Sequence, residues 1–137
     1  MPEPTKPSRG LLDTSVLIDV GTVDPTKLPV EVAISAITLA ELAAGPHAAQ
    51  DPYERARRQE HLQRAEAAFN PVPFGVTCAR AYGRVFAAVT ASGRKARGAR
   101  MVDLLIAATA LAEELPLYTR NIGDFVGLEH LLDVIEI

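Results

Sequence analysis

Three acidic side chains lie in or beside segments of this sequence that otherwise read as buried core. Asp13 interrupts the apolar run GLLDTSVLID, Glu41 follows the apolar run VAISAI, and Asp103 is the only charge in MVDLLIAATALA. Buried carboxylates need compensation by hydrogen bonds or by a cation. Carboxylates that meet within a few ångströms repel each other, and a divalent cation relieves that repulsion. If the fold brings these acids together, they therefore form a metal site.

The elements that carry these acids are predicted from the hydrophobic pattern. Short apolar runs without alternation are typical of strands buried on both faces of a parallel sheet. The predicted strands cover 9–13, 32–37, 117–119 and 134–137, with a further short strand at 72–74. The predicted helices follow Asp13, run from Thr38 to a stop at Gly45-Pro46, and cover 52–69, 77–92 and 101–114. Strands that alternate with helices predict an α/β fold, with a central, mostly parallel sheet flanked by helices on both faces.

This fold places the acids at one edge of the sheet. Asp13 ends the first strand, and Glu41 is expected in the first turn of the helix after the second strand. Asp103 begins a buried helix, and it belongs at the same edge if that helix runs antiparallel to the strands, as crossover helices do. Ligands of open α/β sheets bind outside the carboxyl ends of the strands. Asp124 follows the strand at 117–119 and opens at the same edge, so it is a fourth candidate.

Helix capping is the alternative interpretation for each acid taken alone. Asp is a favoured N-cap residue, so Asp13 and Asp103 are candidates to cap the helices that follow them. The run Thr38-Leu-Ala-Glu41 matches a capping box with Glu41 at the third helical position. A solvated turn is the alternative for Asp124. Capping predicts neither apolar surroundings nor convergence at one edge, so the joint pattern favours a shared site.

Donor types and overall charge narrow the chemistry of such a site. Oxygen ligands without a cysteine cluster or paired histidines favour Mg²⁺ or Mn²⁺ over zinc. His47, His61 and His130 are widely spaced and are read as surface or structural residues. The net charge of −3 excludes a nucleic-acid-binding polycation, so any basic site is local.

Length and composition predict one cytoplasmic domain. The 137 residues suffice for a single domain, assigned to 9–137, after a proline-rich lead at 1–8 that is expected to be disordered. The single Cys78 has no partner for an internal disulfide, which is consistent with a reducing cytosol. The longest apolar stretch, 104–112, is too short to span a bilayer.

Four segments, in this order, resemble a PIN domain, and specifically a VapC-type toxin ribonuclease of a toxin–antitoxin system. They are Leu12–Ile18, Ser35–Leu42, Asp103–Ala110 and Thr119–Phe125. The resemblance covers about residues 10 to 137. Each motif alone has little specificity, but four in the family's order are a specific pattern.

The resemblance implies a Mg²⁺-dependent endoribonuclease with an acidic pocket at the carboxyl edge of a parallel sheet. It carries the metal-binding and catalytic roles onto Asp13, Glu41, Asp103 and Asp124. Thr14 or Ser15 matches the family's hydroxyl residue beside the first Asp, and Asn121 matches a polar residue near the pocket. The family also implies a homodimer that a cognate VapB-type antitoxin holds inactive. Its members cut transfer, ribosomal or messenger RNA, so the target is left open.

The expected mechanism follows from the charges. A phosphodiester is an anion, which a bare cluster of carboxylates repels. A bound metal reverses the local sign, polarises the phosphoryl oxygen and lowers the pKa of bound water. One carboxylate is expected to position that water for in-line attack on phosphorus, which leaves a 5′-phosphate and a 3′-hydroxyl.

A basic segment directly precedes Asp103. It carries four cations in seven residues without an acid: Arg94, Lys95, Arg97 and Arg100. Flexible basic loops contact phosphates without reading bases, so these side chains are predicted to bind the RNA backbone. A solvated loop, or cations that offset the acidic pocket, are the alternatives. The arginines of 52–69 are interleaved with glutamates and predict a solvated helix face or a contact with the antitoxin.

Two other functions compete with the ribonuclease. A metal-dependent phosphatase also places an Asp after its first strand, but usually needs a second Asp two residues later, where this chain has Ser15. A non-catalytic PIN-like binding module is the other alternative, and retention of all the motif acids argues against it. The glycine-rich stretch lacks the spacing of a P-loop.

Overall fold

The computed structural model describes residues 8–98 and 100–137. The predicted disordered lead falls almost entirely on residues 1–7, which lie outside the described residues, and the single-domain assignment of 9–137 stays a prediction. None of the helices in the described ranges is both long enough and apolar enough to cross a membrane.

The described part of the chain contains a parallel sheet of four strands in the order β2-β1-β3-β4. The strands are β1 (Arg9–Leu12), β2 (Glu31–Ala33), β3 (Leu117–Thr119) and β4 (Val134–Glu136). Because parallel neighbours point the same way, the carboxyl ends of all these strands meet at one edge. The predicted α/β fold with a parallel sheet is therefore confirmed.

Five α-helices connect and cover these strands within the described ranges. They are α1 (Thr14–Ile18), α2 (Ala36–Ala48), α3 (Pro52–Ala68), α4 (Val76–Ala91) and α5 (Arg100–Ala112). Short 3-10 helices lie at Val20–Thr22, Pro25–Lys27 and Ile122–Phe125. The helices α2 and α3 pack against each other as one pair, and α4 and α5 as another.

The core lies on both faces of the sheet because side chains alternate along each central strand. Leu11 and Leu117 belong to one apolar cluster, together with residues of α4 and α5. Leu12 and Tyr118 belong to a second cluster, together with residues of α1, α2 and α3. These strand side chains are at most 2% exposed. Residues that follow β1 and β3 are thus held by backbone that is fixed from both sides.

The predicted strand at 32–37 is wrong in its second half. The strand ends at Ala33, and Ser35 is the N-cap of α2, with its side chain accepting a hydrogen bond from the backbone N–H of Thr38 at 3.0 Å. The capping box beginning at Thr38 is therefore also wrong, and Glu41 lies in the second turn of α2. An apolar run such as VAISAI suits a strand or a buried helix equally, and only the cap decides where one gives way to the other.

The predicted stop of this helix at Gly45-Pro46 is also wrong, since α2 continues to Ala48. Pro46 is buried, and Nη1 of Arg58 in α3 donates to the carbonyl oxygen of Gly45 at 3.0 Å. Packing against α3 outweighs the local cost of proline within a helix.

Other boundaries also differ from the sequence pattern. The helix predicted from Thr77 begins one residue earlier, at Val76, with Gly75 as its N-cap. The strand predicted at 72–74 is reduced to a single parallel bridge between Val72 and Ser35.

A test of the fold concerns Gly10 in β1. A Cβ atom there would overlap the buried ring of Tyr118 and lie 3.0 Å from Cγ of Pro29. We expect Gly10→Ala to lower the free energy of unfolding by about 1–3 kcal/mol, because the ring has no free space to move into. Gly21→Ala is the matched control, since nothing lies within 4 Å of its Cβ position. Equal urea midpoints for both variants would contradict the close packing at Gly10.

Candidate active site

Asp13 follows β1 directly and is 4% exposed. Its Oδ1 accepts hydrogen bonds from the backbone N–H of Val16 at 3.1 Å and from Oγ of Ser15 at 2.6 Å. Its Oδ2 accepts from Oγ1 of Thr119 at 2.5 Å. The capping interpretation is thus correct for Asp13, but capping occupies only one of its oxygens. The other oxygen is held across the sheet, so both oxygens are fixed in place.

Thr119 is the functional neighbour that sequence reasoning missed. It is fully buried at the end of β3, and its hydroxyl also accepts a hydrogen bond from the backbone N–H of Asn121 at 3.0 Å. The pairing of Leu12 with Tyr118 places Asp13 and Thr119 side by side where their strands end. The sequence shows only a hydroxyl residue at the end of the strand 117–119. The strand order is needed to show that this residue lies beside Asp13.

Glu41 is half-buried and is held by a chain of hydroxyls. Oγ1 of Thr14 donates to Oε1 of Glu41 at 2.5 Å and lies 3.2 Å from Oγ1 of Thr38. Oγ of Ser35 lies 3.4 Å from the same Thr38 oxygen. Each hydroxyl has one proton to donate. The Thr38 hydroxyl therefore donates to Thr14, which leaves the Thr14 proton for Glu41.

The two hydroxyls that the family resemblance marked beside Asp13 have different roles. Thr14 binds Glu41, whereas Ser15 donates to Asp13 and accepts from the backbone N–H of Arg120 at 3.2 Å. Ser15 thereby connects the end of β1 to the segment after β3. Thr38, buried behind Thr14, is a second residue of the site, which the sequence pattern had indicated only as a helix cap.

Asp103 lies in the first turn of α5 and is half-buried. Burial, followed by the negative charges of Asp124, Glu41 and Asp13 in that order, raises the pKa of its carboxyl from 3.8 to about 6. The positive charge of Arg100 lowers it. The structure therefore brings the four predicted acids into one electrostatic neighbourhood. Asp103 is the fourth residue of α5, so the capping interpretation is wrong for it.

Asp124 lies on the 3-10 helix Ile122–Phe125, just after β3. Its carbonyl oxygen accepts a hydrogen bond from Nη1 of Arg100 at 3.0 Å, and its N–H donates to the carbonyl of Asn121 at 3.0 Å. Phe125, which is 2% exposed, anchors this short helix in the core. Asn121 is exposed beside it.

The donor set fits a hard divalent cation in type and in charge. All four acids offer carboxylate oxygens, and the raised pKa of Asp103 shows negative charge that lacks full compensation. Within the described residues, however, no group of three or more His, Cys, Asp or Glu side chains is arranged to hold a metal ion as the side chains stand. Glu41 faces the hydroxyl of Thr14 instead, so its ligation requires that carboxylate to change its partner.

The four cations of the basic segment have different surroundings. Lys95 and Arg97 are exposed on either side of Ala96, which is 5% exposed and anchors the segment. Arg94 lies near Glu129, whose lowered pKa results mainly from backbone N–H donors, with His130 and Arg94 contributing. Arg100 belongs to α5, at the acidic edge.

The arginines of α3 form the predicted ion pairs with glutamates. Nη2 of Arg57 and Nε of Arg58 lie 2.8 and 2.9 Å from Oε1 of Glu54, and Arg64 pairs with Glu60. The bonds from Arg57 and Arg58 lower the pKa of Glu54 from 4.5 to about 2. This face is therefore largely neutralised within the helix.

Two adjoining cavities lead away from Glu41 between α1 and α3. One, of about 260 Å³, contains Glu41 and polar residues of α3. The other, of about 290 Å³, is apolar and shares Ile18, Leu42 and His61 with the first. Together they form a groove that is apolar at one end and reaches Glu41 at the other.

Comparison with known proteins identifies the family. The family model of the PIN domain matches residues 10–125, a range that includes all four acids and both hydroxyls after Asp13. The chain belongs to the PIN-domain family. This match confirms the family resemblance of the sequence motifs. The strand order and the acidic edge described above are therefore features of a PIN domain chain.

Relatives of this PIN domain are VapC proteins. It is 36% identical over 128 residues to Ribonuclease VapC5 of Mycobacterium tuberculosis, covering 91% of each chain. It is 38% identical over 104 residues to Ribonuclease VapC8 of the same species, covering 74% of this chain and 89% of that protein.

Solved structures agree with this relationship. A chain of the VapBC-5 toxin–antitoxin structure from M. tuberculosis superposes with a TM-score of 0.83 at 34% identity, covering 96% of this chain and 100% of that one. A chain of VapBC2 from Rickettsia felis, solved with a promoter DNA fragment, has a TM-score of 0.70 at 24% identity, with 94% and 98% covered. The second likeness supports the fold alone.

The raised pKa of Asp103 gives a test that needs no activity. Because its pKa is about 6 when folded and 3.8 ordinarily, the folded state binds the proton more tightly. The ionised group thus destabilises the fold above about pH 6, and this penalty fades as the pH falls through 6 toward 4. We expect Asp103→Asn to raise the melting temperature in EDTA by a few degrees at neutral pH, and much less near pH 4.

Asp51→Asn is the matched control for this measurement. Asp51 is exposed and caps α3, with Oδ1 accepting from the N–H of Glu54 at 2.9 Å, and Asn caps as well as Asp. We expect no pH-dependent difference for this variant. A gain at Asp103 that is the same at both pH values would mean that charge repulsion is not its cause.

Proposed function

We propose that this PIN domain is a metal-dependent endoribonuclease, the toxin of a type II toxin–antitoxin module. The observation that carries the proposal is the shared field of Asp13, Glu41, Asp103 and Asp124 at the carboxyl edge of the sheet. Relatives named Ribonuclease VapC, at 36–38% identity, support the assignment of RNA as the substrate.

The proposed ligands and catalytic residues are Asp13, Glu41, Asp103 and Asp124, and the proposed cation is Mg²⁺, with Mn²⁺ equally suited to oxygen donors. When bound, such a cation neutralises the cluster, polarises the scissile phosphate and supplies hydroxide near neutral pH. Thr119 and Ser15 keep Asp13 in place for it. Glu41 exchanges its contact with Thr14 for a ligand position, and Asn121 lines the pocket as a supporting polar residue.

The chain's own groups would orient the reaction. A carboxylate of the cluster that remains free to accept a hydrogen bond directs the attacking water in line with the leaving oxygen. The proposed products carry a 5′-phosphate and a 3′-hydroxyl. A 2′,3′-cyclic phosphate would exclude this course.

The exposed cations Lys95 and Arg97 are the proposed contacts to the RNA backbone. Within residues 8–98 and 100–137 neither side chain forms an ion pair, and their segment, which Ala96 anchors, is close in sequence to the acidic edge. Arg94 would contribute more weakly because Glu129 lies near it.

The proposed protein partner is a VapB-type antitoxin, as in the complexes named VapBC. The groove between α1 and α3 suits an apolar segment of such a partner, which would then reach Glu41. A homodimer and a cytoplasmic location complete the proposal, and both stay predictions.

The decisive experiment compares Asp103→Asn with Asp51→Asn in metal-dependent RNA cleavage. We expect Asp103→Asn to reduce the cleavage rate by at least about 10²-fold while Asp51→Asn keeps the wild-type rate. The measurement is single-turnover cleavage of labelled RNA in Mg²⁺ and in EDTA, with product ends analysed. Full cleavage by Asp103→Asn would reject the site. Hydrolysis of phosphomonoesters without RNA cleavage would favour the phosphatase, and inertness of the wild type towards both would favour the binding module.

The RNA contact has its own test. We expect the double variant Lys95→Gln, Arg97→Gln to weaken RNA binding and to reduce the slope of log affinity against log salt by about 1–2, because each lost phosphate contact removes about 0.7 for a single strand. Arg57→Gln is the control, because Glu54 already neutralises Arg57. An unchanged slope for the double variant would place the RNA elsewhere.

A further inference from the structure

The fourth cation of the basic segment, Arg100, differs from its neighbours in what it touches. Its side chain is half-buried, and Nη1 donates to the carbonyl oxygen of Asp124 at 3.0 Å across 24 residues of sequence. We propose that Arg100 is a positioning residue that fixes the segment carrying Asp124 beside Asp103, and that it is not a contact to the RNA backbone.

The hydrogen bond links two elements that each carry a site acid. Arg100 is the first residue of α5, and Asp103 stands one turn further along the same helix. Asp124 stands on a 3-10 helix of four residues, which is too short to hold its own orientation firmly. The guanidinium therefore fixes the distance between the two acids. Its planar fork gives this bond a direction that an ammonium group does not reproduce.

The charges around Arg100 also disfavour a phosphate. Its positive charge acts on Asp103, which also interacts with the charge of Asp124, and its Nη1 is bonded to the backbone of Asp124. A phosphate that approached this guanidinium would meet both carboxylates. Among the described residues, Lys95 and Arg97 have no carboxylate partner, so they remain the suitable contacts for the RNA backbone.

Substitution of Arg100 should leave the fold intact, which makes the proposal testable. Phe125 is buried and anchors the 3-10 helix independently of Arg100. The turn that carries Asp124 then stays attached to the core but loses its fixed orientation. Arg100→Lys keeps the net charge, so a change in cation binding cannot arise from the loss of a positive charge.

The proposal rests on the proposed metal site, and its first test is Mn²⁺ binding by the full chain without RNA. We expect Arg100→Lys to weaken Mn²⁺ binding on the order of tenfold, with the melting temperature in EDTA nearly unchanged, because groups that orient a ligand typically have this effect. Arg80→Lys, at an exposed position of α4, is the matched control and should bind Mn²⁺ as the wild type does. Equal Mn²⁺ affinity of Arg100→Lys and the wild type would overturn the proposal.

Two further measurements separate this proposal from the proposed function. Amide hydrogen exchange in EDTA should be faster at residues 122–126 in Arg100→Lys than in the wild type. This comparison tests the role of Arg100 even if the wild type binds no Mn²⁺. Failure of the wild type to bind Mn²⁺ would reject only the proposed metal site. RNA binding in EDTA should show the same salt slope for Arg100→Gln as for the wild type. A slope reduced by about 0.7, as for Arg97→Gln, would make Arg100 a phosphate contact and overturn the proposal.

Discussion

Mutual repulsion of carboxylates at one sheet edge is the constraint on which the rest of this structure depends. Its effect is visible at Asp103, whose pKa rises to about 6 through burial and through three neighbouring negative charges. A fold that gathers such groups has to hold them rigidly. The parallel sheet supplies that rigidity, because apolar clusters on both faces fix the backbone from which Asp13 and Thr119 project.

Neutral hydroxyl groups donate most of the hydrogen bonds that hold Asp13 and Glu41 in place. Thr119 and Ser15 donate to Asp13, and Thr14 donates to Glu41. A hydroxyl directs a carboxylate oxygen without cancelling its charge, so the cluster keeps its attraction for a cation. Guanidinium or ammonium partners would neutralise the same oxygens and compete with the metal. The glutamates of α3 show that contrast, because Glu54 is fully engaged by Arg57 and Arg58.

The cations that precede Asp103 differ in their burial and in their contacts. Arg100 touches the backbone of the segment that carries Asp124, and its charge reaches Asp103. Lys95 and Arg97 stand exposed on the preceding segment. The basic segment thus contains two kinds of cation. Arg100, at the start of α5, is half-buried and contacts the segment of Asp124, whereas Lys95 and Arg97 are exposed.

The sequence by itself determined the α/β class, the parallel sheet and the meeting of Asp13, Glu41, Asp103 and Asp124 at one edge. Those properties follow from hydrophobic periodicity and from the direction of parallel strands, which are local or general rules. The start of α2 does not follow from the sequence pattern, because the run VAISAI suits a strand as well as a helix. The hydrogen bond that makes Ser35 the N-cap of α2 decides where the helix begins.

Only the tertiary structure decided which partners hold the acids. Thr119 reaches Asp13 across 106 residues, Thr14 reaches Glu41 across 27, and Arg100 reaches Asp124 across 24. No spacing rule links positions so far apart, because such contacts exist only after the strands have paired and the helices have packed. The sequence therefore determined which groups carry charge, and the fold decided which donors hold them.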